Sequence, residues 1–185
     1  MKMTETQVGS TVYFSGQIIS VRVDQVQLPD GSLAGRECVM HPGGAAVLAV
    51  TPQQQVILVR QHRYVCGRDM LELPAGKLDT GEAPAVCAGR ELAEETPYTA
   101  QSMQLLHEFY STPGFCNEKI YLYWAQGVEA NSQAEPDAGE LLELVLLNKQ
   151  QVQEALAQQR IEDGKTLIAL YWWLHQGAPG SCQGR

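Results

Sequence analysis

Charge is scarce in this chain, and positive charge is scarcest. Only 18% of its 185 residues are Asp, Glu, Lys or Arg, and 13 Lys and Arg face 21 Asp and Glu, a formal net charge of −8. With no basic footprint to displace counterions from a phosphate backbone, a nucleic-acid partner is excluded. No run approaches the roughly 18 consecutive apolar residues of a membrane-crossing helix, so no membrane partner is expected. Residues 1–10 lack an apolar h-region, and no secretory signal is expected either. The five cysteines (Cys38, Cys66, Cys87, Cys116, Cys182) are odd in number and never spaced C-x-x-C. That pattern argues against a zinc site and a disulfide framework, and for reduced thiols in a cytoplasmic protein. The four histidines, His41, His62, His107 and His175, have no ligand spacing and read as structural or exposed. There is no internal repeat and no low-complexity tract.

What is present is an ordinary globular composition, 44% hydrophobic, enough to core one domain with a small appendage. Residues 11–28 alternate apolar positions (Val12, Phe14, then Ile19, Val21, Val23), a strand signature. Pro29-Asp30-Gly31 is a turn, and residues 36–40 return as the second strand of a hairpin. After the breaker His41-Pro42-Gly43-Gly44, strands are predicted at 45–50 and 56–59, paired as neighbours. Residues 82–95 predict a helix with Ala85, Ala88 and Leu92 on one face. Further strands are predicted near 103–109, 120–125 and 141–147, a mobile loop at 131–139, and helices at 149–159 and 165–175. Trp172-Trp173 with Leu167, Leu170 and Leu174 would pack the last helix on the core. Many strands with few helices predict an α+β or mixed-sheet α/β fold.

One stretch carries chemistry: Gly76, five residues, Glu82, seven residues, then Arg90-Glu91-Leu92-Ala93-Glu94-Glu95. On a helix Glu91 sits one turn from both Glu94 and Glu95, and like charges at that spacing destabilise a bare helix. A solvated acidic face is one reading. The other is a divalent-cation site, since hard oxygen ligands on a rigid element suit Mg2+ or Mn2+. Arg90 would then fix a carboxylate by charge-assisted hydrogen bonds.

This spacing resembles the signature box of the Nudix hydrolases, a match that arises by chance about once in a million chains of this size. Pro97-Tyr98 stands where the family pattern has Gly before an aliphatic or aromatic residue. Pro cannot adopt the left-handed cap that Gly allows, and it pushes Thr96 towards an extended conformation. Flanking segments resemble the ADP-ribose pyrophosphatase branch: Gln61-His62-Arg63-Tyr64, Leu71-Glu72-Leu73-Pro74-Ala75-Gly76, Thr112-Pro113-Gly114-Phe115-Cys116-Asn117-Glu118, and the Asp163-Gly164-Lys165-Thr166 helix start. The resemblance implies an α/β/α sandwich around a mixed sheet at 45–185, with an N-terminal sheet extension at 1–44 that forms a homodimer.

It also implies roles. The Ala75 carbonyl, Glu91 and Glu95 would hold metal, with Glu94 and Glu82 contributing. A general base would come from the acids before the last strand, Glu135, Asp137 or Glu140, of which Glu140 fits the pattern best; a merely solvated loop is the alternative. Arg36 and Arg63 match positions that contact substrate, Arg36 from the partner subunit, and structural ion pairs are the alternative for both. Glu118 matches a ribose contact or is an edge-strand carboxylate. The implied activity is Mg2+-dependent hydrolysis of ADP-ribose or a related nucleoside diphosphate sugar. A GDP-sugar hydrolase and a non-cleaving nucleotide sensor are the alternatives, and loss of box carboxylates, which would mark a sensor, is not seen.

Overall fold

A computed structural model describes residues 3–134 and 141–175. They fall into two compact units: one up to Gly43 together with Phe109–Ile120, the other Gly44–Glu108 together with the residues from Tyr121 on.

The first unit is a three-stranded antiparallel sheet in the order β1 (Thr6–Ser15), β2 (Ser20–Gln27), β3 (Leu33–Met40). The alternation expected to run unbroken through residues 11–28 is two strands. Its apolar phase slips from even to odd positions between Phe14 and Ile19, and there the chain turns, with Gly16 N–H donating to Ile19 O at 2.9 Å. The β2–β3 turn is where Pro29-Asp30-Gly31 predicts it, and Gly31 takes φ +87°, a value that favours glycine. Buried Asp24 accepts from Ser10 Oγ at 2.6 Å and Gln7 Nε2 at 3.3 Å and forms an ion pair with Arg22, whose Nε lies 3.1 Å away. The arm 109–120 adds a parallel bridge, Val39 to Cys116, and Asn117 Oδ1 accepts from His41 N–H at 2.7 Å.

The second unit has two sheets, β10-β5-β6 and β7-β4-β9-β8. Their strands are β4 (Gly44–Leu48), β5 (Gln55–Arg63), β6 (Arg68–Glu72), β7 (Ala75–Lys77), β8 (Ser102–Tyr110), β9 (Lys119–Gln126) and β10 (Leu142–Asn148). The expected pairing of residues 45–50 with 56–59 is found only at the turn between them, where Val50 bridges Val56 and Ile57 N–H donates to Ala49 O at 2.9 Å; beyond it β4 and β5 enter different sheets. Both strands are fully apolar where they are buried, and each takes a central place, β4 between β7 and β9 and β5 between β10 and β6.

Helices α1 (Pro84–Glu95), α2 (Lys149–Ala157) and α3 (Gly164–His175) cover the sheets, α1 lying on β4 and β7, α2 on β10 and α3 on β4. Every residue of β4 is buried, as helices on both sides require. Ala45, Val47 and Ala49 join Cys87, Ala88 and Leu92 of α1 in one core cluster with Ile57, Tyr123 and Ala125. Leu170 and Trp173 of α3 are buried, and Trp172 meets Trp124 with ring centroids 5.7 Å apart, so the last helix packs as predicted. Asn148 and Gln151 form a reciprocal capping box at the start of α2. No helix of the described residues is long and apolar enough to cross a membrane, and the cysteines described, Cys38, Cys66, Cys87 and Cys116, are free thiols.

Candidate active site

Helix α1 starts at Pro84, whose fixed φ suits a first turn, and ends at Glu95 because Pro97 forbids more. Thr96 is extended, φ −143° and ψ 161°, and its Oγ1 donates back to Leu92 O at 2.5 Å. The glycine-type cap is absent, and the helix exit is closed by a hydroxyl instead.

Glu91 and Glu95 are each only 8% exposed, which overturns the reading of α1 as a solvated acidic face. Packing α1 on β4 and β7 turns these carboxylates inward, beside the 75–77 backbone. Glu95 Oε2 accepts from Ala75 N–H at 3.0 Å. The Glu91 carboxylate lies where a Cβ on Gly76 would be, so only glycine lets the strand come this close.

Arg90 brackets the remaining charges. Its Nε and Nη2 fork onto Glu82 at 2.9 and 3.1 Å, and Nη1 reaches Glu94 Oε2 and Glu91 Oε1, both at 2.8 Å. Glu82 is held at about 2, far below an ordinary 4.5, chiefly by its hydrogen bond from Arg90. Arg90 in turn is made a still weaker acid, chiefly by Glu82. Buried Cys87 beside them is pushed up to about 12, by burial first and then by Glu82 and Glu91, and is therefore a thiol rather than a nucleophile.

Four carboxylates, with Arg90 among them and Arg63 near enough to feel Glu95, leave negative charge in excess within a partly buried site. The donors, Glu82, Glu91, Glu94, Glu95 and the Ala75 carbonyl, are all hard oxygens, which fits a divalent ion of the Mg2+ or Mn2+ type. The Gly76 cradle, which brings the backbone against Glu91, fits it as well. Among the described residues no three such side chains already converge on one point; Arg90, the nearest cation, has drawn Glu82, Glu91 and Glu94 to itself.

A second ionic group lies in the same unit, and of its members only Arg63 has a role in the sequence reading. Glu72, 3% exposed, receives Arg63 Nε and Nη2 at 2.7 and 2.9 Å and Lys165 Nζ at 2.5 Å. Burial alone would raise its carboxyl, but Arg63 and Lys165 outweigh burial and hold it at about 2. The fork from Glu72 also raises Arg63, to which the negative charge of Glu95 adds. A glutamate between Leu71 and Leu73 was the available signal, since a charge inside an apolar strand needs partners.

Arg36 and Glu118 belong to the first unit. Arg36 is exposed and forks onto Glu5 at 2.9 and 2.5 Å, the ion-pair alternative. Glu118 accepts from Ser111 Oγ at 2.5 Å, with His41 Nδ1 3.6 Å away. Glu143, on the strand itself, pairs with Arg60 at 2.8 Å across the β5–β10 register. The candidate bases Glu135, Asp137 and Glu140 lie outside the described residues.

The NUDIX domain family matches residues 40–170 of this sequence, spanning the carboxylate helix and both ionic groups. The chain belongs to the Nudix family. The nucleoside diphosphate sugar hydrolase N-terminal domain family matches residues 5–39, the β1–β3 sheet. Among relatives, this Nudix hydrolase is 40% identical over 160 residues to a methanol dehydrogenase activator of Bacillus methanolicus, 86% of each chain. It is 36% identical over 171 residues to an ADP-ribose pyrophosphatase of Bacillus subtilis, 92% of each chain. A GDP-mannose pyrophosphatase of Yersinia enterocolitica is 35% identical over 147 residues, 74% of this chain and 76% of that one. A crystal structure of an ADP compounds hydrolase superposes with a TM-score of 0.82 at 20% identity, covering 96% of this chain and 98% of that one; it has the same mixed α/β fold. Nudix hydrolases generally need a divalent metal, in keeping with the donor set described above.

Proposed function

We propose that this enzyme hydrolyses the pyrophosphate of ADP-ribose, or a closely related nucleoside diphosphate sugar, to a nucleoside monophosphate and a sugar phosphate. Water supplies the oxygen of the new P–O bond, the bridging P–O–P bond breaks, and one proton is released. The reading rests on one observation above others: Glu91 and Glu95 are turned inward against the Ala75–Gly76 backbone and held by Arg90 and a backbone N–H rather than by solvent. Its relatives' names supply the substrate class.

The Ala75 carbonyl, Glu91 and Glu95, with Glu94 and Glu82, would hold Mg2+ or Mn2+. When bound, such an ion polarises a pyrophosphate oxygen and lowers the pKa of a coordinated water. Arg90 keeps Glu82 ionised and holds Glu82, Glu91 and Glu94 in register. Arg63 takes phosphate charge through the part of its guanidinium outside the Glu72 fork, as a planar bidentate donor does. Glu140 is assigned as the base on its sequence position, and Arg36 and Glu118 as further substrate contacts. Free thiols fit a cytoplasmic enzyme.

A panel of ADP-ribose, GDP-mannose and other nucleoside diphosphate sugars with Mg2+ tests the reading. ADP-ribose should turn over fastest, and Glu95→Gln should lower kcat by roughly 100-fold or more with an unchanged circular dichroism spectrum. Preference for a GDP-sugar would move the base specificity. Tight binding without turnover of any of them would make the protein a sensor.

We assign the active form as a homodimer through the β1–β3 sheet, on which Val12, Phe14 and Leu33 are exposed. Light scattering should give twice the chain mass. A fully active monomer would refute the assignment.

A further inference from the structure

Arg63 is the last residue of β5, four positions along the strand from Val59, which is the register partner of Glu72. At about 3.3 Å per residue the Arg63 side chain must run back along the sheet to reach that carboxylate. A long side chain used this way is held only at its tip. The hold is as good as the placement of Glu72, and Glu72 is itself gripped from elsewhere. Its Oε1 accepts Arg63 Nε, while Oε2 is shared between Arg63 Nη2 and Lys165 Nζ. Lys165 comes from the first turn of α3, with its side chain 13% exposed, and also meets Asp163 Oδ1 at 3.1 Å.

Helix α3 does not need this lysine in order to stay attached. Asp163 Oδ2 accepts Thr166 N–H at 2.9 Å, Thr166 Oγ1 accepts Leu73 N–H at 2.9 Å, and Leu170 and Trp173 are buried. With Asp163 counted, two acids balance two bases, so the charge of Lys165 only brings the group to neutrality. What it adds is a second fixed point on the Glu72 carboxylate.

We infer that Lys165 is a positioning residue: through Glu72 it fixes the guanidinium of Arg63 in the orientation in which that arginine meets substrate phosphate. This rests on the assignment of Arg63 as a phosphate contact made above. A lysine that only stabilised the fold would lower the melting temperature and leave affinity alone. A positioning lysine weakens affinity, and does so only while Arg63 is present.

The test is a double-mutant cycle read by calorimetric binding of α,β-methylene ADP-ribose in Mg2+, with steady-state kinetics alongside. Lys165→Met should weaken binding about 5- to 30-fold, the mid-range for side chains coupled in one ion network, with KM rising in parallel and kcat changing less than about threefold. Lys165→Arg should restore most of the loss. In an Arg63→Gln background, Lys165→Met should change binding less than about twofold. If Lys165→Met melts below the assay temperature, Lys165→Gln is read in its place, with the same expectation. Equal losses in both backgrounds, or a melting shift with unchanged affinity, would overturn the inference while leaving the role of Arg63 standing. Arg63→Gln without effect on binding would overturn the assignment of Arg63, and this inference with it.

Discussion

The two ionic groups of the second unit are inverse constructions. At α1 one guanidinium is shared by three carboxylates, Glu82, Glu91 and Glu94, with Glu95 beside them. Below β6 one carboxylate is shared by two cations, Arg63 and Lys165, with Asp163 restoring balance. The first is left with acid in excess, which suits the divalent ion proposed for it. The second is neutral, and its product is a direction for one arginine. Charge is stored at one and geometry at the other, and a pyrophosphate needs both: something to cancel its charge and something to orient it.

The comparison breaks most sharply at the shared member of each group. Glu72→Ala would leave the largely buried Lys165 and the half-exposed Arg63 without their shared carboxylate, and chemical denaturation should register a loss of about 3 kcal/mol. A loss below about 1 kcal/mol would mean that the pair is screened like a surface bridge, and the inversion would lose its meaning.

Arg90→Gln removes the cation that Glu82, Glu91 and Glu94 share. Activity should fall about 10- to 100-fold, as when an outer partner of a metal ligand is lost. The melting temperature without metal should drop, and its rise on adding Mg2+ should exceed that of the unmutated protein, because the ion then does all of the neutralising. An unchanged response to Mg2+ would show that the carboxylates do not bind metal as a group.

The smallest effect lies in acid. Glu72 and Glu82 are both held at about 2 in the folded chain against an ordinary 4.5. A depressed carboxyl stabilises the fold above 4.5, and that contribution is lost as the pH falls towards 2. Melting temperature should therefore decline through this window. Glu82→Gln should make the decline slightly shallower by lowering the melting temperature at pH 7 and leaving it nearly unchanged below pH 2, where the carboxyl is protonated in both states. A decline as steep in Glu82→Gln as in the unmutated protein would show that the acid limb belongs to other groups.

How much of this could be read in the sequence differs between the two groups. The acidic one is local: Glu82, Arg90, Glu91, Glu94 and Glu95 lie within one turn and one helix, so spacing alone brings them together. Glu72, Arg63 and Lys165 come from β6, β5 and α3, and no periodicity relates them. The same division runs through the fold. Helix α1 and the β2–β3 hairpin are local and were legible. Strands β6 and β7 are short and mixed in polarity around Pro74, and β1 is exposed and interrupted by Gly9 and Ser10, so none of the three has a clean alternation. The partners of β4 and β5 are chosen by burial on both faces, which a strand's own residues do not specify.

Thr166 and Lys165 reach Leu73 and Glu72 across 93 residues of chain. Closing a loop of that length is far slower than forming a helix from neighbours. In order of assembly the protein therefore has an early half and a late half. A chain emerging from synthesis can gather its carboxylates, and with them a capacity for metal, well before α3 docks and Arg63 acquires its aim. On the roles proposed above, metal capture can come before nucleotide capture, and the second waits for the final helix.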